Sequence, residues 1–159
     1  MEQSKFLKYI SWLGYRMPEE MQKEAIKQLL AEDITMYIPT IINDCNGSSW
    51  DNILYILKVI GYPDNKPVVP KLFEMMGDMN WSFAPAASDL IESIYYSDNE
   101  IIMTSMENAT RQAIKEKDST WLWGIYSVVK RLGIGINDFY DKDLYVALEQ
   151  QIIDDGGWE

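Results

Sequence analysis

Apolar residues recur with a helical period along most of this chain, and this pattern constrains its fold more than any other feature. The segment 18–33 is the clearest example, because one face of its predicted helix is apolar and the opposite face is charged. The apolar face carries Met21, Ala25, Ile26, Leu29 and Leu30. Pro18 suits the first position of this helix. Since alternating strand patterns are scarce, the sequence predicts an all-α protein.

Three predicted helices open on a tryptophan that directly follows a capping-type residue: Trp50, Trp81 and Trp121. The first and third are apolar around most of their circumference, which indicates inner helices, and they end at Gly61 and Gly133, which suit the left-handed conformation. Amphipathic helices over 67–76 and 99–117 lie between them. Helical units of about 35 residues that cannot bury their apolar faces alone are typical of stacked arrays. We predict a HEAT-like α-α superhelix of stacked antiparallel helix pairs, with an irregular helical bundle as the alternative.

The length of 159 residues and the apolar content of 47% predict one domain with a substantial core. Its expected parts are N-terminal helices or a cap, a repeat core and a tail, at 1–46, 47–153 and 154–159. No apolar run approaches the roughly 20 residues that cross a bilayer, and the N-terminus lacks the layout of a signal peptide. The lone Cys45 excludes an internal disulfide. We therefore expect a cytoplasmic protein with no membrane partner.

The stretch 77–87, GDMNWSFAPAA, combines a helix start with an early proline. Because Pro85 has no backbone N–H, it fits only the first turn of a helix. We predict that the helix starts at Ser82 or else kinks at Pro85, and that Asp78 and Asn80 fix the preceding turn through side-chain hydrogen bonds. Trp81 is expected to fill the gap between two stacked helices.

Other aromatic residues are also expected to lie at helix entrances and pack against adjacent helices, namely Trp50, Tyr55 and Trp121.

The residues that carry a family resemblance lie in this part of the chain: Leu72, Asp78, Asn80, Trp81, Ala84 and Trp121. With the surrounding segment, roughly 50–153, they resemble a family of small, mostly uncharacterised bacterial helical-repeat domains whose signature is D-x-N-W-P followed by a W-rich helix opening. Ser82 departs from the proline of that signature. The resemblance implies a HEAT-like α-α fold, and the family has no established enzymatic activity that it would suggest for this chain. Small acidic helical-repeat proteins of this sort also resemble immunity proteins encoded beside bacterial toxins.

The residues offer little for catalysis. The chain has no histidine, which removes the commonest general base and zinc ligand, and Cys45 is expected to be an inert thiol. The G-x-G of residues 133–135 predicts a turn after a helix. No cofactor is expected.

The segment NDFYDKD leaves two interpretations open. Asp138, Asp141 and Asp143 either bind Mg²⁺ or Ca²⁺ through carboxylate oxygens, or they cap and flank the last helix, with Asn137 or Asp138 as the cap.

Charge points instead to a partner. The net charge is −11, which disfavours nucleic acid, and residues 72–110 contain seven acids and no Lys or Arg. Because Trp121 and Trp123 lie about 200° apart on their helix, one of them is expected to be partly exposed. Trp158 is expected either to dock on the body of the protein or to contact a partner. The candidate partner-binding residues are Glu74, Asp78, Asp89, Glu92, Asp98, Glu100, Trp123 and Trp158.

The leading functional hypothesis is a non-enzymatic protein-binding module, most concretely an immunity protein that covers a basic toxin with an acidic surface. The alternatives are a carboxylate-based metal-binding protein or enzyme that uses Asp138, Asp141 and Asp143, and a self-associating scaffold.

Overall fold

The computed structural model describes residues 1–45 and 47–156, and in these ranges the regular structure is nine α-helices with three short 3₁₀ turns. The helices are α1 (Gln3–Ser11), α2 (Glu19–Leu30), α3 (Ile38–Asp44), α4 (Trp50–Ile60), α5 (Val69–Met75), α6 (Ala84–Tyr95), α7 (Asn99–Glu116), α8 (Ser119–Leu132) and α9 (Lys142–Asp154). The prediction of an all-α protein is confirmed. Within the described ranges, no helix is long and apolar enough to cross a membrane.

The helices form two compact units, Met1–Val68 and Val69–Glu159. In the first unit α1 packs on α2 and α2 on α4, around a core that includes Phe6, Leu13, Leu29, Ile41, Leu54 and Leu57. Asn52 of α4 ties these helices together, because its Nδ2 donates to the carbonyl of Leu13 at 2.7 Å and to Oε1 of Gln22 at 2.8 Å. Trp50 is buried as predicted, but Tyr55 is 54% exposed, so its expected packing role is wrong.

In the second unit α7 is the central helix. It packs against α5, α6, α8 and α9, and further contacts join α5 to α6 and α8 to α9. The helices of this unit thus pack mostly against their neighbours along the chain. The buried face of α7 carries Ile102, Met106, Ala109 and Ala113.

Two features bring α8 against the end of α5. A Cβ atom added at Gly124 would lie 1.9 Å from the carbonyl oxygen of Met76, so only glycine permits this approach. Three residues earlier, the indole Nε1 of Trp121 donates to the carbonyl of Phe73 at 2.6 Å. Trp121 therefore performs the packing role that the sequence predicted for it.

Several predicted helix ends differ from the structure. Helix α6 begins at Ala84 after Phe83, so the predicted start at Ser82 is wrong, although Pro85 does fall in the first turn, where a missing N–H costs nothing. Pro18 precedes α2 and is not its first residue. Gly133 ends α8 in the left-handed conformation as predicted. Gly61 ends α4 with a positive φ of 78° but an extended ψ.

Candidate functional site

Three of the six acids predicted to form a binding surface, namely Glu74, Asp89 and Glu92, are paired with a lysine or an arginine. The guanidinium of Arg131 on α8 joins Asp89 Oδ1 at 2.7 Å and Glu92 Oε2 at 2.5 Å, and it also donates to Ser88 Oγ at 3.1 Å. The hydrogen bonds that Arg131 donates to Asp89 and Glu92 raise the pKa of Arg131 above its ordinary value. We call this set of four residues the Arg131 clamp, and it joins α6 to α8.

A second network engages the acid at the end of the same span. Glu107 is buried, and its Oε1 accepts from the backbone N–H of Tyr140 at 2.6 Å. Its Oε2 lies 3.2 Å from Arg111, which also pairs with Asp141 at 3.0 Å. The network thus fixes the loop before α9 onto α7, and Glu107 is a structural residue.

The other predicted acids have separate local roles. Glu74 pairs with Lys71 at 2.7 Å on the surface of α5. Asp98 caps α7 by accepting from Ile101 N at 3.2 Å, and Glu100 is exposed in the first turn of that helix. Because Asp78 and Asp98 lie near opposite ends of α6, which is about 18 Å long, these acids do not form one compact cluster.

The structure exposes a hydrophobic surface that the sequence did not predict. Trp81 is 49% exposed and Met79 is 40% exposed, both in the turn of residues 77–83, which we call the Trp81 turn. The prediction that Trp81 fills a gap between helices is wrong, because Phe83 turns inward there and is 7% exposed. The Trp81 ring stacks on Phe83 with the centroids 5.6 Å apart and the planes 10° apart.

The Trp81 turn is held by its own side chains. Oδ1 of Asp78 accepts from the backbone N–H of Asn80 at 3.0 Å, as predicted for Asp78. This hydrogen bond and the ring stacking fix the orientation of the exposed tryptophan. The turn therefore presents an indole and a thioether beside an exposed carboxylate.

The two remaining candidate tryptophans are less informative. Trp123 is half-buried and packs edge-on against Tyr126, with the ring centroids 6.3 Å apart. Trp121 is also half-buried, so both tryptophans are partly exposed, where the sequence predicted this for one of them. Trp158 lies outside the described residues.

The three late aspartates have structural roles. Asp141 is the N-cap of α9, accepting from Leu144 N at 3.2 Å, so the prediction of Asn137 or Asp138 as the cap is wrong. Asp138 accepts instead from Gly135 N at 2.7 Å, and Asp143 lies in the first turn of α9. Among residues 1–45 and 47–156, no group of three or more His, Cys, Asp or Glu side chains could hold a metal ion.

The lone thiol, Cys45, is half-buried. Burial raises the pKa of Cys45 to about 11, which keeps it protonated at neutral pH and lowers its nucleophilicity.

Comparisons of the chain with protein-family models, with curated proteins and with solved structures give no match. The class that the fold defines is thus a small all-α protein. The resemblance to bacterial helical-repeat domains stays a prediction.

Proposed function

We propose that this chain is a non-enzymatic protein-binding module whose contact surface is centred on the Trp81 turn, and that its partner is a basic protein. The observation that carries the proposal is the exposure of Trp81 and Met79 next to Asp78. Tryptophan and methionine are enriched in protein interfaces, and tryptophan is among the residues that contribute most to binding energy. Pre-orientation by Phe83 and Asp78 lowers the entropy lost on binding.

The charge of the chain supports a basic partner. A net charge of −11 creates a negative field that attracts a basic protein and speeds its encounter. The Arg131 clamp and the Lys71–Glu74 pair reduce the acidic surface that the sequence implied. The negative charge therefore steers the approach of the basic partner, and the apolar contact at the Trp81 turn supplies the affinity.

Toxin immunity is the most concrete form of this proposal. The helices of residues 69–156 pack mostly against their neighbours along the chain, as the helices of a HEAT-like array do, and this supports the resemblance to immunity-type helical proteins. On this proposal the partner is a basic toxin, and the chain acts by covering it.

The test compares partner capture by the wild type with capture by Trp81→Ala and Tyr15→Ala. Tyr15 is an exposed aromatic residue of the first unit, so its substitution controls for the loss of a surface ring. We expect one basic protein from the native cell to be retained by the wild type and Y15A, and to bind W81A about 30-fold more weakly. The association rate should fall as salt rises. Equal capture by all three proteins, or a partner that is acidic, contradicts the proposal.

If the retained protein is toxic, co-expression should restore growth with the wild type and with Y15A but not with W81A. Circular dichroism of W81A should match the wild type, because surface substitutions of this kind change stability little.

Self-association is a second candidate, favoured by the outer face of α9. Val146 and Ile153 are each more than half exposed and lie on the same face, two helical turns apart. Light scattering decides this case: a molar mass of one chain across the accessible concentration range excludes a scaffold built by self-association.

A further inference from the structure

A groove between α5 and α7, which we call the α5–α7 groove, offers a second kind of contact. Its volume is about 210 Å³. Glu74 lines it from α5, Trp121 lines it from α8, and the α7 side is formed by Ser105, Asn108 and Gln112. Pockets for whole small-molecule ligands span about 300–1,000 Å³. The groove is therefore of a size for one long side chain.

The chemistry of the lining favours a cation. Glu74 is the one charged residue of the lining, and its side chain is 56% exposed. The amide and hydroxyl side chains of α7 supply neutral oxygens that accept hydrogen bonds. Trp121 supplies an indole whose orientation is fixed, because its Nε1 donates to the carbonyl of Phe73. Tryptophan is the strongest aromatic partner for a cation.

We propose that the α5–α7 groove receives an arginine side chain of the partner, an assignment that rests on the proposed function. A guanidinium is planar, so it can lie against the indole and still direct its five N–H donors at Glu74 and at the oxygens of α7. A lysine ammonium is a compact, strongly hydrated charge that lacks this planar geometry. The negative charge of Glu74 and the indole of Trp121 in the lining together favour arginine.

In the free protein, Lys71 pairs with Glu74 and so competes with an incoming arginine for that carboxylate. Its Nζ lies 2.7 Å from Glu74, three residues along the same helix, and both side chains are partly exposed. Ion pairs of this kind are weak and exchange readily. An arriving arginine therefore displaces Lys71 from Glu74, and substitutions of Glu74 and Lys71 should change arginine binding in opposite directions.

The probe is N-acetyl-arginine amide, titrated at constant ionic strength while proton–nitrogen NMR spectra follow the tryptophan indole groups. Trp121→Phe identifies the Trp121 signal. We expect that signal to move with the arginine probe and not with the neutral citrulline analogue. Glu74→Gln should weaken binding about three- to fivefold, and Lys71→Gln should strengthen it about twofold. Glu100→Gln removes an exposed acid outside the groove and should leave binding unchanged.

Three results overturn the assignment: an unmoved Trp121 signal, equal shifts with citrulline or a lysine analogue, or an E74Q protein that binds as E100Q does. These results leave Trp81-dependent capture of a partner unaffected. Conversely, a positive titration with no Trp81-dependent partner supports the arginine site and contradicts the proposed function. The two failures are thus distinguishable.

Discussion

At the scale of single residues, Gly124 allows α8 to lie directly against the end of α5. The backbone of Met76 occupies the space where a side chain at position 124 would begin. Glycine in the middle of a helix costs about 1 kcal/mol relative to alanine. Glycine is nevertheless required at position 124, because any Cβ there would force α8 away from the end of α5.

We predict that Gly124→Ala destabilises the protein by about 2–3 kcal/mol, despite the higher helix propensity of alanine. Urea denaturation measures the change. Gly135→Ala is the matched control, since its added Cβ would meet Asp138 Oδ2 at an ordinary 3.8 Å. A G124A protein as stable as G135A would show that the contact with Met76 is not close.

The two tryptophans Trp81 and Trp121 should differ in what their loss changes. Trp121→Phe removes the shorter of two hydrogen bonds to the carbonyl of Phe73, the other coming from the backbone N–H of Met76, so we expect a loss of about 1–2 kcal/mol in the free energy of unfolding. Trp81→Phe keeps a ring on an exposed surface and should cost less than about 0.5 kcal/mol. Chemical denaturation of both variants checks the difference, and equal losses would contradict the assigned roles.

At the scale of elements, three helices of the second unit share one kind of beginning. Asp98, Asp118 and Asp141 cap α7, α8 and α9, and each accepts from the backbone N–H three residues later. Helix α6 differs, because Phe83 precedes it and provides no side-chain cap. The sequence placed the cap of α8 directly before Trp121 and the cap of α9 at Asn137 or Asp138, and both predictions are wrong. The start of α6 depends on where Phe83 is buried.

Asp141 should make the docking of α9 sensitive to acid. Hydrogen bonds from Arg111 and from the backbone of Leu144 lower the pKa of Asp141. A carboxyl with a lowered folded pKa stabilises the fold above the unfolded value of about 3.9, and that stabilisation is lost as the pH falls through the folded pKa. We predict that wild type is more stable than Asp141→Asn at pH 7 and that the gap narrows below pH 3.9.

Urea denaturation at pH 7 and pH 3 measures this gap. Asp143→Asn is the control, because Asp143 lies in the same first turn without the ion pair to Arg111. A gap for D141N that stays constant with pH would rule out the ionised pair as its cause.

At the scale of the whole molecule, the second unit contains its own stabilising contacts. The bond from Trp121 to Phe73, the Arg131 clamp and the Glu107 network all join residues between 69 and 156. We therefore predict that a fragment of residues 69–159 folds by itself, with helical circular dichroism and one cooperative urea transition. Gly124→Ala should destabilise the fragment as it does the full chain. A gradual, non-cooperative transition would show that the fragment needs residues 1–68.

The sequence predicts where most helices lie, but it does not predict which side chains are exposed or which charges are paired. Periodicity identifies α2, α4, α7 and α8 because a core-facing stripe is a local pattern. The exposure of Trp81 depends on a turn that directs Phe83 inward, and no local pattern distinguishes Trp81 from the packed Trp121. The sequence also overestimates the free acidic surface of residues 72–110. Asp89 and Glu92 pair with Arg131, which is distant along the chain, and no local pattern indicates that pairing.

The Arg131 clamp also predicts how this chain can evolve. Loss of Arg131 leaves Asp89 and Glu92 facing each other without a cation, so a viable lineage that changes position 131 should also change positions 89 and 92. Covariation of these three positions would then be a record of helix pairing. An acid that persists in lineages where the arginine has disappeared is under a different constraint, and such acids would mark the surface that selection maintains for a partner.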